Sequence, residues 1–318
     1  MPVCEETHMS IPYLSEGDLE ALGITTAEII AALEHTIRES QQAQVWSAPK
    51  AVITPPDGRY IMATLAVMND PPLVATKSLV LNPRNSDIGL PQINGLVTLL
   101  HGETGVPEAI LDCNWVTAVR TAGLSALAAK YMARPDSASA GFVGTGVQAR
   151  SHLQAFADMF PLQHIKIAGR GQANIDALAD MARKLGLSAE VCDTPREAVE
   201  GVDLVVTSMT HTSIDGPFLD ANWLQSGSFL TAVDLGGAWH RETFDALQHL
   251  CIDDLQQEAA METKLADPDH VDGDLSGLIN GTFEGRASNS DRAGFVFRGH
   301  ALGDLAIAAF AYQKSRGG

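Results

Sequence analysis

The chain has 318 residues, 45% of them hydrophobic and 19% charged, and 21 lysines and arginines against 39 aspartates and glutamates leave a formal net charge of −18. That hydrophobic content excludes a disordered chain, and the acidic excess repels phosphate backbones and anionic lipid surfaces, so neither nucleic acid nor a membrane is an expected partner. At roughly 100–200 residues per domain the length fits one large or two ordinary domains, and no apolar run approaches the roughly 18–20 residues of a membrane span.

The start, Met1-Pro-Val-Cys-Glu-Glu, is acidic and lacks the basic and apolar regions of a secretory signal; Met9 offers an alternative start that would leave the first eight residues a frayed leader. Cys4, Cys113, Cys192 and Cys251 are far apart, with no C-x-x-C pair, and read as free thiols of a cytoplasmic protein without a metal site. Residues 15–45 read as a helix, capped by Ser15-Glu-Gly-Asp18 and carrying Ile29, Ile30, Leu33 and Ile37 at helical spacing. Residues 50–112 are mostly sheet: two runs about a Pro-Pro-Asp-Gly turn, then Val74–Leu81 and Gly95–His101. Trp115 to Met132 is a helix ending before Arg134-Pro135, placed to connect two domains. Beyond it, strands at 138–143, 165–168, 189–192, 204–208, 229–234 and 251–253 alternate with helices at 148–159, 172–185 and 195–200, the pattern of a doubly wound sheet. Residues 264–294 read as loop around one short helix.

The sharpest motif is Gly144-Thr-Gly146-Val-Gln-Ala149, a G-x-G-x-x-A between a strand and a helix. Gly144 permits the tight turn, Gly146 lets backbone approach a pyrophosphate, and Ala149 allows close helix–strand packing. The acidic residue that usually follows the second strand is replaced by Gly169-Arg170. Arg170 suits a 2′-phosphate, an adenine face or plain solvent, so NAD and NADP both stay open. Lys77 lies in the apolar run Leu73–Leu81: either it is buried with a depressed pKa and serves as acid, base or carboxylate anchor, or it faces solvent on an edge strand. Arg120, in a helix of small and apolar residues, suits a carboxylate grip or an interdomain salt bridge. Asp304 reads as a helix N-terminal charge, and His101, His240 and His300 as isolated surface or core histidines.

Taken together, Lys77-Ser-Leu-Val-Leu-Asn-Pro-Arg-Asn85 through Pro91, Thr104–Pro107, Thr117-Ala-Val-Arg120, Gly144–Ala149, Ala198–Asp203 and Asp304-Leu-Ala resemble the ornithine cyclodeaminase and mu-crystallin family, in family order over nearly the whole chain. The resemblance implies an α/β fold: a Rossmann dinucleotide-binding domain, residues 121–298, interrupting a discontinuous α+β substrate and dimerisation domain, residues 1–120 and 299–318, in a homodimer with its active site between the two. It implies Lys77 as the catalytic residue beside the imine and substrate carboxylate, with Arg120 and Lys50 as carboxylate-side cations. For the cofactor, NAD or alternatively NADP, it implies Gln92, Arg120, Thr121, Gly144, Thr145, Gly146, Val147, Gln148, Arg170, Thr207, Ser208, Met209, Val233, Asp234 and Gly299.

Two departures from the family pattern bear on the substrate. The aspartate that handles the distal amine in cyclodeaminases falls on Gly236, with Asp234 two positions away as a candidate replacement, and the usual Phe-Asp-Ser-Thr-Gly is replaced by Phe295-Val-Phe-Arg298-Gly299. An acid lost from one wall and a cation gained on another suit a small anionic imino acid. The expected function is an NAD(P)H-dependent imine reductase making aspartate from iminosuccinate, with Arg298 on the second carboxylate. Ornithine cyclodeaminase, alanine dehydrogenase and cyclic ketimine reductase activities, or a mu-crystallin-like binding protein, are the alternatives.

Overall fold

The computed structural model describes residues 10–210 and 215–317. The readings of the acidic start, Met9 and Cys4 lie outside the described residues. Among those residues no helix is long and apolar enough to cross a membrane.

The Ser15 capping box forms as its spacing predicts: Ser15 Oγ accepts from the Asp18 N–H at 3.3 Å, and the Asp18 carboxylate accepts from the Ser15 N–H at 3.0 Å. The helix does not run through to residue 45, however. After strand β1 (Tyr13–Leu14), helix α1 spans Glu16–Ala21, and Gly23 turns the chain at φ +58°. A second capping box, Thr25 with Glu28, then starts α2 (Thr26–Gln41), and by β2 (Val45–Ser47) the chain is strand. A left-handed glycine followed by a fresh N-cap breaks what the apolar spacing alone would continue.

The first sheet continues with β3 (Ala51–Ile53), β4 (Tyr60–Met68), β5 (Leu73–Leu81), β6 (Ile93–His101) and β7 (Pro107–Asp112). Strands β4 to β7 form an antiparallel meander; β2 and β3 both pair with β4, and β1 lies parallel to β7. Strand alternation sends Ala75, Lys77 and Leu79 to the face covered by helices and leaves Leu65, Val80 and Leu96 exposed on the other. Lys77 is therefore inside a central strand, paired on both sides at Thr64 and Val97, and is not on an edge.

Helix α3 (Cys113–Met132) leaves this sheet and is buried nearly all round; a Cβ on Gly123 would sit 2.6 Å from Ile29 and Leu33, so the small residue sets the close approach to α2. The second sheet holds β8 (Ser139–Val143), β9 (His164–Ala168), β10 (Ser188–Val191), β11 (Leu204–Thr207), β12 (Phe229–Ala232), β13 (His249–Ile252), β14 (Gly273–Asp274) and β15 (Ala293–Val296), in the order β10-β9-β8-β11-β12-β15-β13-β14. Every neighbouring pair is parallel. Helices α4 (Val147–Met159), α5 (Gln172–Lys184), α6 (Pro195–Val199), α7 (Leu255–Ala259) and α8 (Leu275–Asn280) connect its strands. The fold is α/β, with a Rossmann-type sheet joined to an α+β unit, and the last helix, α9 (Ala301–Ser315), returns to pack on β4 and β5. Strand β15 corrects the reading of 264–294 as loop around one helix: its four residues are all buried between β12 and β13. A central parallel strand this short carries neither alternation nor length enough to register in the sequence.

Candidate functional site

Where α9 returns to the first sheet, three elements bring charge into the interior. Lys77 Nζ on β5 lies 2.6 Å from Asp304 Oδ1 in the first turn of α9, and Arg120 Nε on α3 lies 3.1 Å from the same oxygen. Thr64 on β4 donates to Asp304 Oδ2 at 2.9 Å, and Thr117, one turn before Arg120, is 3.5 Å from Lys77 Nζ. Lys77 is 1% exposed, Arg120 7% and Asp304 2%. Burial and the nearby Arg120 charge push the Lys77 pKa down, with Asp304 opposing them. Burial pushes Asp304 up, but Lys77 and Arg120 outweigh it and hold the carboxyl below its ordinary range. Asp304 is thus a shared counter-ion, more than a charge favoured by a helix dipole, and its role has no local signature because its partners are 227 and 184 residues away.

Lys50, between β2 and β3, joins this cluster from the other side. Its ammonium donates to the Arg298 carbonyl at 2.7 Å, and burial, then repulsion by Arg120 and Lys77, lowers its pKa to about 7. Gly299 completes the contact: at φ +70°, it lies so close to the guanidinium that a Cβ would fall 1.8 Å from Arg120 Nη1. Lys50, Lys77 and Arg120 are therefore assembled around one carboxylate, with a second buried acid, Asp253, beside Lys50.

A cleft of about 2190 Å³ opens over the β8–α4 turn and extends to Thr117, next to Lys77. Gly144 (φ +98°) is packed so tightly that a Cβ would meet the Ser208 carbonyl at 2.9 Å, whereas a Cβ on Gly146 would meet nothing within 4 Å. Gly146 caps α4 with no side-chain bond, so the helix N-terminus presents bare N–H groups to the cleft. Thr145, Val147 and Gln148 line this turn, Ser208 and Met209 face it from the end of β11, Arg170 from beyond β9, and Gln92 from before β6. Buried oxygens of Gln148, Ser208 and Asn114 have no partner there among the described residues. An open glycine, an uncapped helix start and orphaned oxygens fit a dinucleotide. Asn114 was not singled out from the sequence, since one asparagine at a helix start carries no chemical pattern.

The remaining expected cofactor residues, Thr121, Thr207, Val233 and Asp234, do not line the cleft. Thr207 donates to Asp234 Oδ1 at 3.0 Å and accepts from the Trp239 indole at 3.2 Å. Asp234 is 2% exposed, and burial raises its pKa to about 6 despite the Thr207 bond. It is a buried acid at the end of β12, two residues before Gly236, and its Oδ2 has no partner among the described residues. Arg298 needs a correction: its Nε is 2.8 Å from Glu258 Oε2 and its Nη2 donates to the Thr263 carbonyl, so the guanidinium is committed to a mostly buried pair instead of facing a substrate. Its main chain is what serves the cluster.

The profile of the ornithine cyclodeaminase/mu-crystallin family matches residues 15–318. The structure of a Thermococcus litoralis Δ1-pyrroline-2-carboxylate reductase, in complex with NADH and L-proline, is 27% identical, covers 96% of this chain and 98% of its own, and superposes with a TM-score of 0.88. An archaeal alanine dehydrogenase dimer with bound NAD is 25% identical over 96% of both chains, with a TM-score of 0.86. The iminosuccinate reductase of Paracoccus denitrificans, in complex with NAD+, covers 96% of this chain and 97% of its own at 20% identity and a TM-score of 0.82, a likeness of fold.

Proposed function

Because the chain belongs to the ornithine cyclodeaminase/mu-crystallin family, an NAD(P)-dependent oxidoreductase acting on C=N and CH–NH2 groups, we propose that it reduces a cyclic α-imino monocarboxylate such as Δ1-pyrroline-2-carboxylate. The observation that carries the substrate class is the commitment of Arg298 to Glu258. Without Arg298, the cations left beside the substrate are Lys50, Lys77 and Arg120, of which Lys77 and Arg120 already share Asp304 while Asp253 stands beside Lys50, an arrangement that suits one substrate carboxylate. A dicarboxylate would bring a second buried anion with no cation to meet it, a cost of several kcal/mol. Iminosuccinate, which rested on Arg298, is therefore the weaker reading, and Gly236 stands where cyclodeaminases carry the acid that handles ornithine's distal amine.

In this reading Arg120 grips the carboxylate, Lys50 adds a second donor, and Lys77, held by Asp304, orients the imine. NAD(P)H bound over the Gly144–Gly146 turn supplies the hydride. We assign the cofactor to residues 121–298 and the substrate to residues 1–120 with 299–318, and read the exposed apolar face bearing Leu65, Val80 and Leu96 as a homodimer surface.

The test is oxidation of NADH and NADPH with Δ1-pyrroline-2-carboxylate, Δ1-piperideine-2-carboxylate, pyruvate plus ammonium, and freshly generated iminosuccinate. The expected result is a kcat/KM at least tenfold higher for a cyclic imine. A preference for iminosuccinate, or conversion of ornithine to proline without net cofactor consumption, would overturn the reading.

A further inference from the structure

Two buried side chains beside the cluster are left unused by this account. His300 is 5% exposed and neither ring nitrogen has a partner among the described residues; it occupies the N-cap of α9 yet makes no capping bond. Asp253, at the end of β13, is 4% exposed; its Oδ2 accepts from the Arg298 N–H at 3.2 Å, and its Oδ1 has no partner among the described residues. A buried polar atom left unsatisfied is destabilising, and the two side chains do not bond each other. Three such atoms in one place mark a site that a polar group completes.

Its position identifies that group. The Arg298–His300 segment touches the cluster throughout: the Arg298 carbonyl receives Lys50, Gly299 lies against the Arg120 guanidinium, and His300 follows directly. Arg298 thus carries Lys50 on its carbonyl and Asp253 on its N–H, and His300 lies within reach of Lys50, Arg120 and Asp253, so cations and a carboxyl with an imidazole meet along one short segment. An α-imino acid has the same polarity, with its nitrogen on the carbon adjacent to the carboxylate.

We propose that Asp253 and His300 bind the substrate nitrogen and supply the proton that its reduction requires. The inference rests on the imine-reductase reading above. The proton passes from the pair to the imine nitrogen lone pair, an N–H bond forming as the donor's bond to hydrogen breaks, and the negative charge of Asp253 then faces the iminium. A nicotinamide held over the Gly144–Gly146 turn would supply the hydride to the iminium carbon, the C=N π pair becoming the lone pair of the product amine.

Burial disfavours charge on both groups of this pair. Burial raises the Asp253 carboxyl above its usual range, with His300 and Lys50 opposing, while burial lowers His300 and Asp253 and Asp254 oppose. The other charges facing the pair are Arg120 from α3 and Lys50 from the β2–β3 link, and Lys50 itself feels Lys77 on β5 and Asp304 on α9.

The experiment compares wild type, Asp253→Asn and His300→Gln with Δ1-pyrroline-2-carboxylate across pH, with NADH affinity as the check of fold. The variants are expected to keep NADH affinity and KM within about threefold, to lose about 100-fold or more in kcat, and to lose the alkaline limb that wild type shows. A readout without cofactor accompanies it: the imidazole NMR signal absent from His300→Gln should shift its titration in Asp253→Asn and on adding L-proline to the bare protein. Equal loss of activity at every pH with no change in limb would make the pair structural and overturn the inference, as would a KM rise confined to one substrate side chain. Wild type inactive on every imine would instead overturn the reading beneath it.

Discussion

Lys77 Nζ and Asp304 Oδ1 meet at 2.6 Å with both side chains almost wholly buried, and this contact ties the centre of the first sheet to the last helix of the chain. Because Arg120 shares the same oxygen atom, the carboxylate faces two cations and leaves positive charge over. The cluster is preorganised for an anion before any substrate arrives, which is the condition for tight carboxylate binding inside an acidic protein.

Breaking this contact from the acidic side should be costly. Asp304→Asn leaves Lys77 and Arg120 buried without a full counter-charge and is expected to lower stability by about 3–5 kcal/mol in denaturant titration. In a double-mutant cycle, Lys77→Met with Asp304→Asn should lose less than the sum of the single changes, by about 0.5–3 kcal/mol. The sign with pH follows from the lowered carboxyl: its stabilisation is complete above the ordinary carboxylate range and is lost as pH falls through the depressed folded value. Wild type should therefore lose stability in acid that Asp304→Asn has already lost. Strict additivity in the cycle would show the contact to be energetically silent.

Lys50 offers a pH dependence of binding near neutrality. Its folded pKa of about 7 means that it carries charge below that pH and loses it above. A charge-assisted contact contributes about 1.5–3 kcal/mol, so KM for the imino acid should rise roughly 10–150-fold as pH rises through about 7. Lys50→Arg should flatten the rise, and Lys50→Gln should show the high KM throughout. For stability the sign is the reverse: protonating Lys50 in the fold is unfavourable, so stability grows from about pH 7 towards the unfolded lysine value. A KM profile identical in wild type and Lys50→Arg would remove Lys50 from substrate binding.

The sequence already carried the parallel sheet, the glycine turn and two of the three cations, because each has a local cause: periodicity, a motif, or a charge in an apolar run. The sites of error were those fixed by tertiary closure. Lys77 was ambiguous until β4 and β6 flanked its strand, and Asp304 looked like an ordinary helix-start acid until α9 docked on β5. His300 read as a filler because burial with both nitrogens unpartnered cannot be seen in one dimension. Gly23 and β15 were missed for shortness: one left-handed residue and four buried ones are too little signal for a period.

The two motif glycines should fail differently when given side chains. Gly144 has φ +98° and would drive a Cβ into the Ser208 backbone, so Gly144→Ala should destabilise the fold by about 1–3 kcal/mol. Gly146 has open space around its missing Cβ, so Gly146→Val should leave the melting temperature nearly unchanged while weakening NADH at least tenfold by filling the cradle. Thermal melts with NADH titration separate the two. A stable Gly146→Val protein that binds NADH normally would place the diphosphate elsewhere.

Arg298 gives the sharpest contrast between substrate readings, since the sequence pointed it at a second carboxylate and the fold pairs it with Glu258. If it served a dicarboxylate, Arg298→Met would raise KM for iminosuccinate by at least tenfold and spare cyclic imines. The observed pair predicts otherwise. The side chains of Arg298 and Glu258 are each only 11% exposed, so removing the arginine strands a buried carboxylate and should cost about 3–5 kcal/mol of stability, with kcat/KM for every imine falling together. Replacing both residues, as Arg298→Met with Glu258→Met, leaves no stranded charge and should recover much of that stability. The Arg298 main chain, which carries the Lys50 and Asp253 contacts, is retained in both variants, so the double variant should also regain activity. Chemical denaturation and parallel kinetics on the two substrate classes read both effects, and a loss confined to iminosuccinate would return Arg298 to the substrate site.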